Sequence, residues 1–287
     1  MKKITVLLLI FSCLFVLMSC KTEPAEDVPA EEHCIVSSAE ELASALAGAR
    51  SYIEFSADIT WKKTTAYDSS NPLAGDVIVI GNNCTIDLNG HALKANAESA
   101  AGSFMIITFG SRTKVTIKNG TIDATPCSAI RGESDRGTLT LENITATSGK
   151  YFMVPNAQGN YTLKDCTVNN LNSNNAHGAA LITSNNAAIR SSYLIENCTL
   201  TNKSANVIYL NDYDTSDKSV MSSLTVKNST LSTDYTVCSC FTRYVSAIYA
   251  ADCVFTGVKK VGYTQDCSVR VPNGITKEII DYKEAKK

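Results

Sequence analysis

The chain has few of the residues on which metal centres, aromatic cores and nucleic-acid sites depend. It contains one tryptophan, three histidines and only 7% aromatic residues among its 287 residues. Three histidines disfavour a histidine-based metal centre, and the absence of a Lys/Arg-rich run before the C-terminal tail disfavours a nucleic-acid partner. The sequence also lacks a G-x-S-x-G motif, a P-loop and the paired cysteines of a zinc site.

Helical periodicity is equally scarce between residues 63 and 270, where an eight-residue phrase recurs instead. The phrase reads apolar, any, apolar, any, Asn/Asp/Gly, any, often Thr, apolar. Seven copies are centred on Gly90, Asn119, Asn143, Asp165, Asn197, Asn228 and Asp252, at intervals of 22 to 32 residues. A period of this length is typical of repeat architectures, in which each unit buries its apolar face against its neighbours.

Each copy of the phrase predicts a short strand that ends in a turn. The two apolar residues before the centre lie two positions apart, so Val115 and Ile117 point to one face and Thr116 and Lys118 to the other. The central Asn, Asp or Gly turns the chain, because these residues tolerate the left-handed conformation. Between the phrases lies a second series of apolar strands, at residues 104–109, 129–131, 152–154, 180–183, 207–210 and 237–241.

Two or three short strands per coil predict an all-β fold, a single-stranded right-handed parallel β-helix whose coils stack about 4.8 Å apart. The repeats resemble those of the pectate-lyase-like superfamily, over roughly residues 37 to 270. Before them, Ser38 and Glu41 form a capping-box pattern, and Leu42, Ala45 and Leu46 follow at helical spacing. We expect a short N-terminal helix there that covers the open end of the first coil.

The catalytic motifs that this resemblance would imply are missing. Pectate lyases carry an arginine motif with a proline between the arginines, and the loop from Arg131 to Arg136 has no proline. Polygalacturonases pair an Asp-Asp dipeptide with a Gly-His-Gly segment. Here no Asp-Asp occurs, and His177-Gly178 follows Ala176. An enzyme also needs acid and base groups that converge at one place, and the acidic residues here are scattered along the chain, which argues against an enzyme.

The first 20 residues predict a secreted, lipid-anchored protein. Lys2 and Lys3 precede an apolar stretch from 4 to 18, which is typical of a signal peptide and short for a membrane span. The stretch ends in Leu17-Met18-Ser19-Cys20, which resembles the lipobox of bacterial lipoproteins, with Met18 in place of the usual small residue. Lipidation at Cys20 and a cell-envelope location follow from this resemblance. Lys21, which is not Asp, points to the outer membrane, facing the periplasm or the surface.

These patterns divide the chain into five parts. They are the signal peptide (1–19), a disordered tether (20–36), an N-terminal cap of one helix and a first strand (37–62), the β-helix (63–270) and a C-terminal tail (271–287). Once Cys13 and Cys20 are subtracted, nine of the 11 cysteines remain, an odd number, so at least one is unpaired within the chain. Cys166, Cys198 and Cys253 each follow a turn centre, which predicts a column of stacked, reduced thiols. The pairing of Cys34, Cys84, Cys127 and Cys267 stays open.

The strongest candidate for a ligand site is the row of polar residues that ends the second series of strands. If the coils are in register, these residues line one flank, where a tyrosine adds a stacking surface for sugar rings. The candidates are Arg131, Asn156, Asn185, Asn211, Asp212 and Tyr213. Asp212, Asp214 and Asp217 also offer oxygen ligands for Ca²⁺, although a solvated loop is the commoner outcome for such a cluster. No other cofactor is indicated.

Three functional hypotheses remain. The first is a non-catalytic module that binds a polysaccharide or a protein partner, while a lipid holds the chain at the membrane. The second is a polysaccharide lyase or glycoside hydrolase that acts on an acidic polysaccharide. The third is a purely structural envelope protein.

The lipid anchor yields a direct test. Replacing Cys20 with Ala removes the acylated thiol, and because each buried CH₂ of a lipid chain contributes ~0.8 kcal/mol, the variant should leave the membrane fraction. Fractionation of cells fed labelled palmitate measures both the membrane association of the protein and its lipidation. Membrane retention together with continued palmitate uptake in the Cys20→Ala variant would contradict the lipobox interpretation.

Overall fold

A computed structural model describes residues 33–63, 76–97, 104–171, 182–183, 190–212, 221–234, 240–257 and 260–280. The predicted signal peptide and Cys20 lie outside these residues. Within the described part of the chain, no helix is both long and apolar enough to cross a bilayer.

The described residues form one helix, α1 (Ala39–Ala47), and a long series of short strands. In chain order the strands are β1 (His33–Val36), β2 (Tyr52–Phe55), β3 (Ile59–Lys63), β4 (Ile78–Ile80), β5 (Cys84–Asp87), β6 (Ala92–Ala97), β7 (Phe104–Thr108), β8 (Lys114–Ala124), β9 (Ser128–Gly132), β10 (Gly137–Ser148), β11 (Met153–Pro155), β12 (Gly159–Lys164), β13 (Thr167–Asn170), β14 (Ile182–Thr183), β15 (Ser192–Glu196), β16 (Thr199–Asn202), β17 (Ile208–Asn211), β18 (Ser222–Lys227), β19 (Thr230–Thr233), β20 (Cys240–Arg243), β21 (Val245–Tyr249), β22 (Val254–Thr256), β23 (Lys260–Tyr263), β24 (Val269–Arg270) and β25 (Thr276–Ile279).

The strands pair in parallel along three faces, which confirms the parallel β-helix predicted from the repeats. The first face runs β1-β2-β5-β8-β10-β12-β15-β18-β21-β24. The second runs β3-β6-β8-β10-β13-β16-β19-β22, and the long strands β8 and β10 continue from the first face into it. The third face, β4-β7-β9-β11-β14-β17-β20-β23-β25, contains the second series of apolar strands. Each coil crosses the faces in turn, so residues at equal positions of successive coils become neighbours.

The helix caps the N-terminal end as the sequence predicts. Ser38 is extended at φ −141° and its side chain accepts a hydrogen bond from the Glu41 backbone N–H at 3.2 Å. The Glu41 carboxylate reaches one residue further back than in the usual capping box and accepts from the backbone N–H and the hydroxyl of Ser37, at 2.7 and 2.9 Å. These bonds lower the pKa of Glu41. Leu42 and Ala45 face inward and are buried.

The core is a set of apolar columns produced by the register of the coils. Ile117, Leu141, Leu163, Ile195 and Val226 occupy equivalent positions of β8, β10, β12, β15 and β18, and each is at most 1% exposed. On the second face a parallel column contains the residues that follow each turn, namely Ile122, Ala146, Val168, Leu200 and Leu231. All of these are buried as well. Burial of such side chains stabilises the fold by about 25 cal/mol per Å² of apolar surface.

The turns between the first and second faces stack as a ladder of polar side chains. Asn119, Asn143, Asp165, Asn197 and Asn228 all have positive φ, between 46° and 59°, as the repeat centres require. Asn143 donates from its side-chain amide to Asn119 at 3.2 Å, Asn197 to Asp165 at 2.9 Å and Asn228 to Asn197 at 2.6 Å. The same residues therefore supply both the left-handed turn and a bond to the next coil.

The last repeat departs from the predicted phase by one residue. The sequence phrase places Ile248 and Ala250 at the apolar positions, whereas β21 aligns Ala247 with Leu224 and Tyr249 with Val226. Ile248 consequently points outward and is 44% exposed. An extra residue between Tyr249 and Asp252 restores the alignment, so that Phe255 again pairs with Leu231. At this turn Asp252 accepts a hydrogen bond from the backbone N–H of Asn228 at 2.9 Å.

Regular pairing extends past both predicted ends of the solenoid. Strand β1 lies entirely within the segment assigned to the disordered tether and pairs with β2, because Val36 packs inward beside Phe55. Strand β25 lies in the segment assigned to the tail and pairs with β23. The Ile280 backbone N–H then donates to the Tyr263 carbonyl at 2.9 Å, and Ile280 is buried.

The described cysteines are all free thiols, including Cys34, Cys84, Cys127 and Cys267. Cys166 and Cys198 stack after successive turns, and their thiols donate to the carbonyls of Lys164 and Glu196 at 3.2 and 3.1 Å. Ser229 takes the equivalent position in the next coil, where its hydroxyl donates to the Lys227 carbonyl at 2.8 Å. The column thus continues through a serine before Cys253.

The register can be tested by placing a carboxyl group inside the central column. Leu163→Asp removes apolar contacts and buries an unpaired acid, which should cost about 3 to 5 kcal/mol of unfolding free energy. Thr162→Asp, one residue away and pointing outward, should change that free energy by less than ~1 kcal/mol. Urea unfolding compares the two variants. Equal stability of both would contradict the assignment of inward and outward positions.

Candidate functional site

The predicted ligand residues that the structure describes follow strands of the third face. Arg131 lies in β9, Asn156 follows β11, Asn211 ends β17, and Asp212 comes directly after it. Asn185, Tyr213, Asp214 and Asp217 lie outside the described residues. The corner between the third and first faces is therefore where the candidate site is built.

Arg131, Glu133 and Asn156 form a hydrogen-bonded cluster across two adjacent coils. The Arg131 Nε donates to Glu133 Oε1. The Asn156 side-chain amide donates to both Glu133 oxygens, at 3.0 and 2.9 Å. Because Val154 of β11 pairs in register with Arg131, Asn156 is held one coil above Glu133. We refer to these three residues as the polar cluster.

The polar cluster is half-buried and rests on aromatic rings. The Arg131 and Glu133 side chains are 16% and 17% exposed. The guanidinium lies 5.6 Å from the centre of the Phe104 ring, a distance suited to a cation–π contact. Gly132 packs against the edge of Tyr161, where an added Cβ would come within 2.7 Å of Cε1. A glycine at this position therefore lets the backbone between Arg131 and Glu133 approach the tyrosine ring.

Two stacked tyrosines connect this corner to Asp212. The Tyr161 and Tyr193 rings are 5.5 Å apart and inclined by 16°. Tyr161 donates its hydroxyl proton to the Ala157 carbonyl at 2.7 Å, and Tyr193 donates to the Asp212 carboxylate at 3.0 Å. Asn211 and Asp212 are only 5% and 3% exposed. Asp212 thus serves as an internal acceptor for Tyr193, and most of its surface is covered by protein.

The electrostatic setting keeps both phenols protonated. Burial raises the pKa of Tyr161, and the negative charges of Asp212 and Glu133 raise it further. Burial and the adjacent Asp212 charge raise the pKa of Tyr193 well above its ordinary value. Neither phenol is therefore suited to act as a general base near neutral pH. The corner offers oriented donors and acceptors for hydrogen bonding to a ligand.

Sequence patterns could not identify Glu133, Tyr161 and Tyr193 as members of the site. Glu133 lies in a charged loop, which is usually solvated. The two tyrosines occupy the apolar slot of their repeats, so the pattern assigns them to the core. Their burial confirms that assignment, yet their hydroxyls point to the corner and meet Ala157 and Asp212. The available signal was a tyrosine in a slot that Val115, Leu139 and Leu224 occupy in other coils.

The predicted calcium ligands are described only in part. Asp212 accepts the Tyr193 hydroxyl bond, whereas Asp214 and Asp217 lie outside the described residues. Across the part of the chain that the structure describes, no three His, Cys, Asp or Glu residues converge in a way that suits a metal ion.

Comparison with known proteins does not extend these assignments. No family model matches the sequence, and no curated protein or solved structure is significantly similar to it.

The tyrosine–aspartate pair yields a stability prediction. Tyr193→Phe deletes the donor to a buried carboxylate and should lower the free energy of unfolding by about 1 to 3 kcal/mol. Tyr161→Phe is the matched comparison, because it deletes a bond to a neutral carbonyl and should cost about 0.5 to 1.5 kcal/mol. Urea titrations measure both. A Tyr193→Phe protein as stable as the wild type would show that Asp212 does not depend on this bond.

Proposed function

We propose that this chain is a cell-envelope lipoprotein whose β-helix is a non-catalytic binding module for a glycan or another macromolecular partner. The observation that carries the proposal is the polar cluster. It places a guanidinium, a carboxylate and an amide side by side on adjacent coils, with the Arg131 and Glu133 side chains partly exposed.

The polar cluster suits a sugar because its groups hold one another in position. Glu133 is fixed by donors from two coils, so little side-chain freedom remains to be lost when a ligand binds. Planar amide, carboxylate and guanidinium groups provide donors and acceptors that match neighbouring hydroxyls. Asn211, which ends the equivalent strand β17 of a later coil, continues the same row of polar residues along the solenoid.

The location proposed for this module rests on the N-terminal sequence. An acylated Cys20 would hold the chain at the envelope, and the tether would let the β-helix reach a polymer in its surroundings. Outer-membrane delivery follows from Lys21 by resemblance.

An enzyme is the second candidate, and one observation favours it. Gly132, next to Glu133, lies against Tyr161, and the stacked Tyr193 donates to Asp212, so two carboxylates lie near one corner. Glycoside hydrolases use two carboxyl groups about the scissile bond. Against this reading, Asp212 is buried and accepts the Tyr193 hydroxyl bond, which leaves it poorly placed to reach a substrate.

The binding proposal is tested with a glycan array probed by the purified full-length protein. Arg131→Ala should weaken binding of the best glycan by about tenfold or more, equivalent to ~1.4 kcal/mol, because it removes a preorganised donor and leaves Glu133 held by Asn156 alone. Arg270→Ala is the matched control, since Arg270 is exposed at the far end of the first face. It should bind as the wild type does.

Other outcomes of this experiment would contradict the proposal. Binding that Arg131→Ala leaves unchanged would place the ligand elsewhere, and an absence of binding to any glycan or envelope polymer would favour a purely structural protein. Release of unsaturated products from polygalacturonate or alginate, lost in Arg131→Ala, would establish the enzyme instead.

A further inference from the structure

Three Asn-Gly dipeptides lie in the part of the chain that the structure describes, at Asn89, Asn119 and Asn273. Such a pair is able to modify itself, because glycine has no side chain to shield its backbone nitrogen from the neighbouring asparagine amide. The three pairs share this local chemistry and differ in what surrounds them. Their surroundings therefore decide which of them reacts.

The first two pairs are held at the corner between the first and second faces. The Asn89 side-chain amide donates to the Glu54 carboxylate at 3.1 Å, and the backbone N–H of Gly90 donates to the Asn119 carbonyl at 2.7 Å. The Asn119 amide donates to both carboxylate oxygens of Asp87, at 3.1 and 3.2 Å. Each amide thus faces a negative charge, which disfavours the loss of a proton nearby.

Asn273 lies instead in an open turn between β24 and β25. The Ile275 backbone N–H donates to the Pro272 carbonyl at 3.3 Å, and Gly274 has a φ of 87°, which is typical of the third residue of a type II turn. Asn273 and Gly274 are both exposed. Among the described residues, neither the Asn273 side chain nor the Gly274 N–H has a hydrogen-bond partner.

The space around each glycine also differs. A Cβ added at Gly120 would come within 2.5 Å of the His91 carbonyl oxygen, so protein encloses the backbone there. A Cβ added at Gly274 or at Gly90 would meet no atom within 4 Å beyond its chain neighbours, but the Gly90 N–H is held by Asn119. Only the turn at Gly274, of these three, combines open space with a nitrogen that no hydrogen bond holds.

We propose that Asn273 is a site of spontaneous deamidation and isomerisation. The Gly274 nitrogen, after losing its proton to hydroxide, attacks the side-chain carbonyl carbon of Asn273. A C–N bond forms, and the side-chain nitrogen leaves as ammonia after taking a proton from water, which gives a five-membered succinimide. Water then opens this ring at either carbonyl and yields aspartate or isoaspartate, without an oxidant or a reductant.

Isoaspartate changes the connection to β25. Its backbone runs through the former side chain, so an additional methylene group enters the turn directly before this strand. Among the described strands β25 pairs only with β23, in a register that joins Thr276 to Lys260 and Ile279 to Tyr263. All four residues of β25 are exposed. The longer turn therefore loosens β25 and leaves β23 as the open edge of the third face.

The experiment follows the purified full-length protein during incubation at mildly alkaline pH. Mass spectrometry of tryptic peptides separates the three sites, since Asn273 lies in the peptide 271–277. Conversion at Asn273 should be about tenfold faster or more than at Asn89 and Asn119, a factor that corresponds to ~1.4 kcal/mol in the barrier. It should accelerate as the pH rises, because the attacking nitrogen must be deprotonated.

Incubation of the same protein in urea is the control for the effect of sequence alone. Without the fold the three sites should convert at similar rates, because each has the same Asn-Gly bond. Conversion of Asn89 or Asn119 in the folded protein as fast as that of Asn273 would overturn the proposal. An Asn273 that stays intact in the folded protein but converts in urea would overturn it as well.

Hydrogen exchange tests the effect on β25. After incubation the wild type should exchange faster at residues 276–280. Asn273→Ser keeps a residue that favours turns but is unable to form the succinimide, so its exchange should not change with incubation. Equal exchange of the two incubated proteins, once most of Asn273 has converted in the wild type, would contradict the loosening of β25.

Discussion

The in-register parallel pairing of successive coils is the constraint on which every other feature depends. Apolar columns such as Leu141, Leu163 and Ile195 fix it from inside, since a slip of one residue would turn an entire column outward. The stacked turn residues fix it at the corner, where Asn197 bonds to Asp165 and Asn228 to Asn197. Burial and turn chemistry therefore specify the same alignment.

Register also converts a linear pattern into surfaces with different properties. The corner between the first and second faces gathers the stacked turn residues, and the corner after the third gathers the polar cluster. Asn156 meets Glu133 although they are 23 residues apart in sequence, because one coil separates them. Stability and recognition share this origin, since the buried side chains that hold a coil in place also position its outward neighbours.

Much of the fold follows from the sequence, because strand alternation and turn residues are local signals. The last repeat shows where such signals fail. Ala247, Ile248, Tyr249 and Ala250 are all apolar, so either phase is consistent with the pattern, and only pairing with Leu224 and Val226 selects one. The candidate site was harder to predict, because the repeat pattern assigns Tyr193 to the apolar core and its bond to Asp212 joins two coils. Coil lengths vary, so the contacts between coils cannot be read from residue spacing.

The central claim is tested most directly by distances between pairs of spin labels, attached through unnatural amino acids at outward positions of the first face. Thr116, Thr140, Thr162, Leu194 and Thr225 are aligned in that order. With in-register coils, the backbone positions of Thr116 and Thr225 are four steps apart, about 19 Å. Moving the first label to Thr140 should shorten the distance by about 4.8 Å. An unchanged or longer distance would contradict the stacked register.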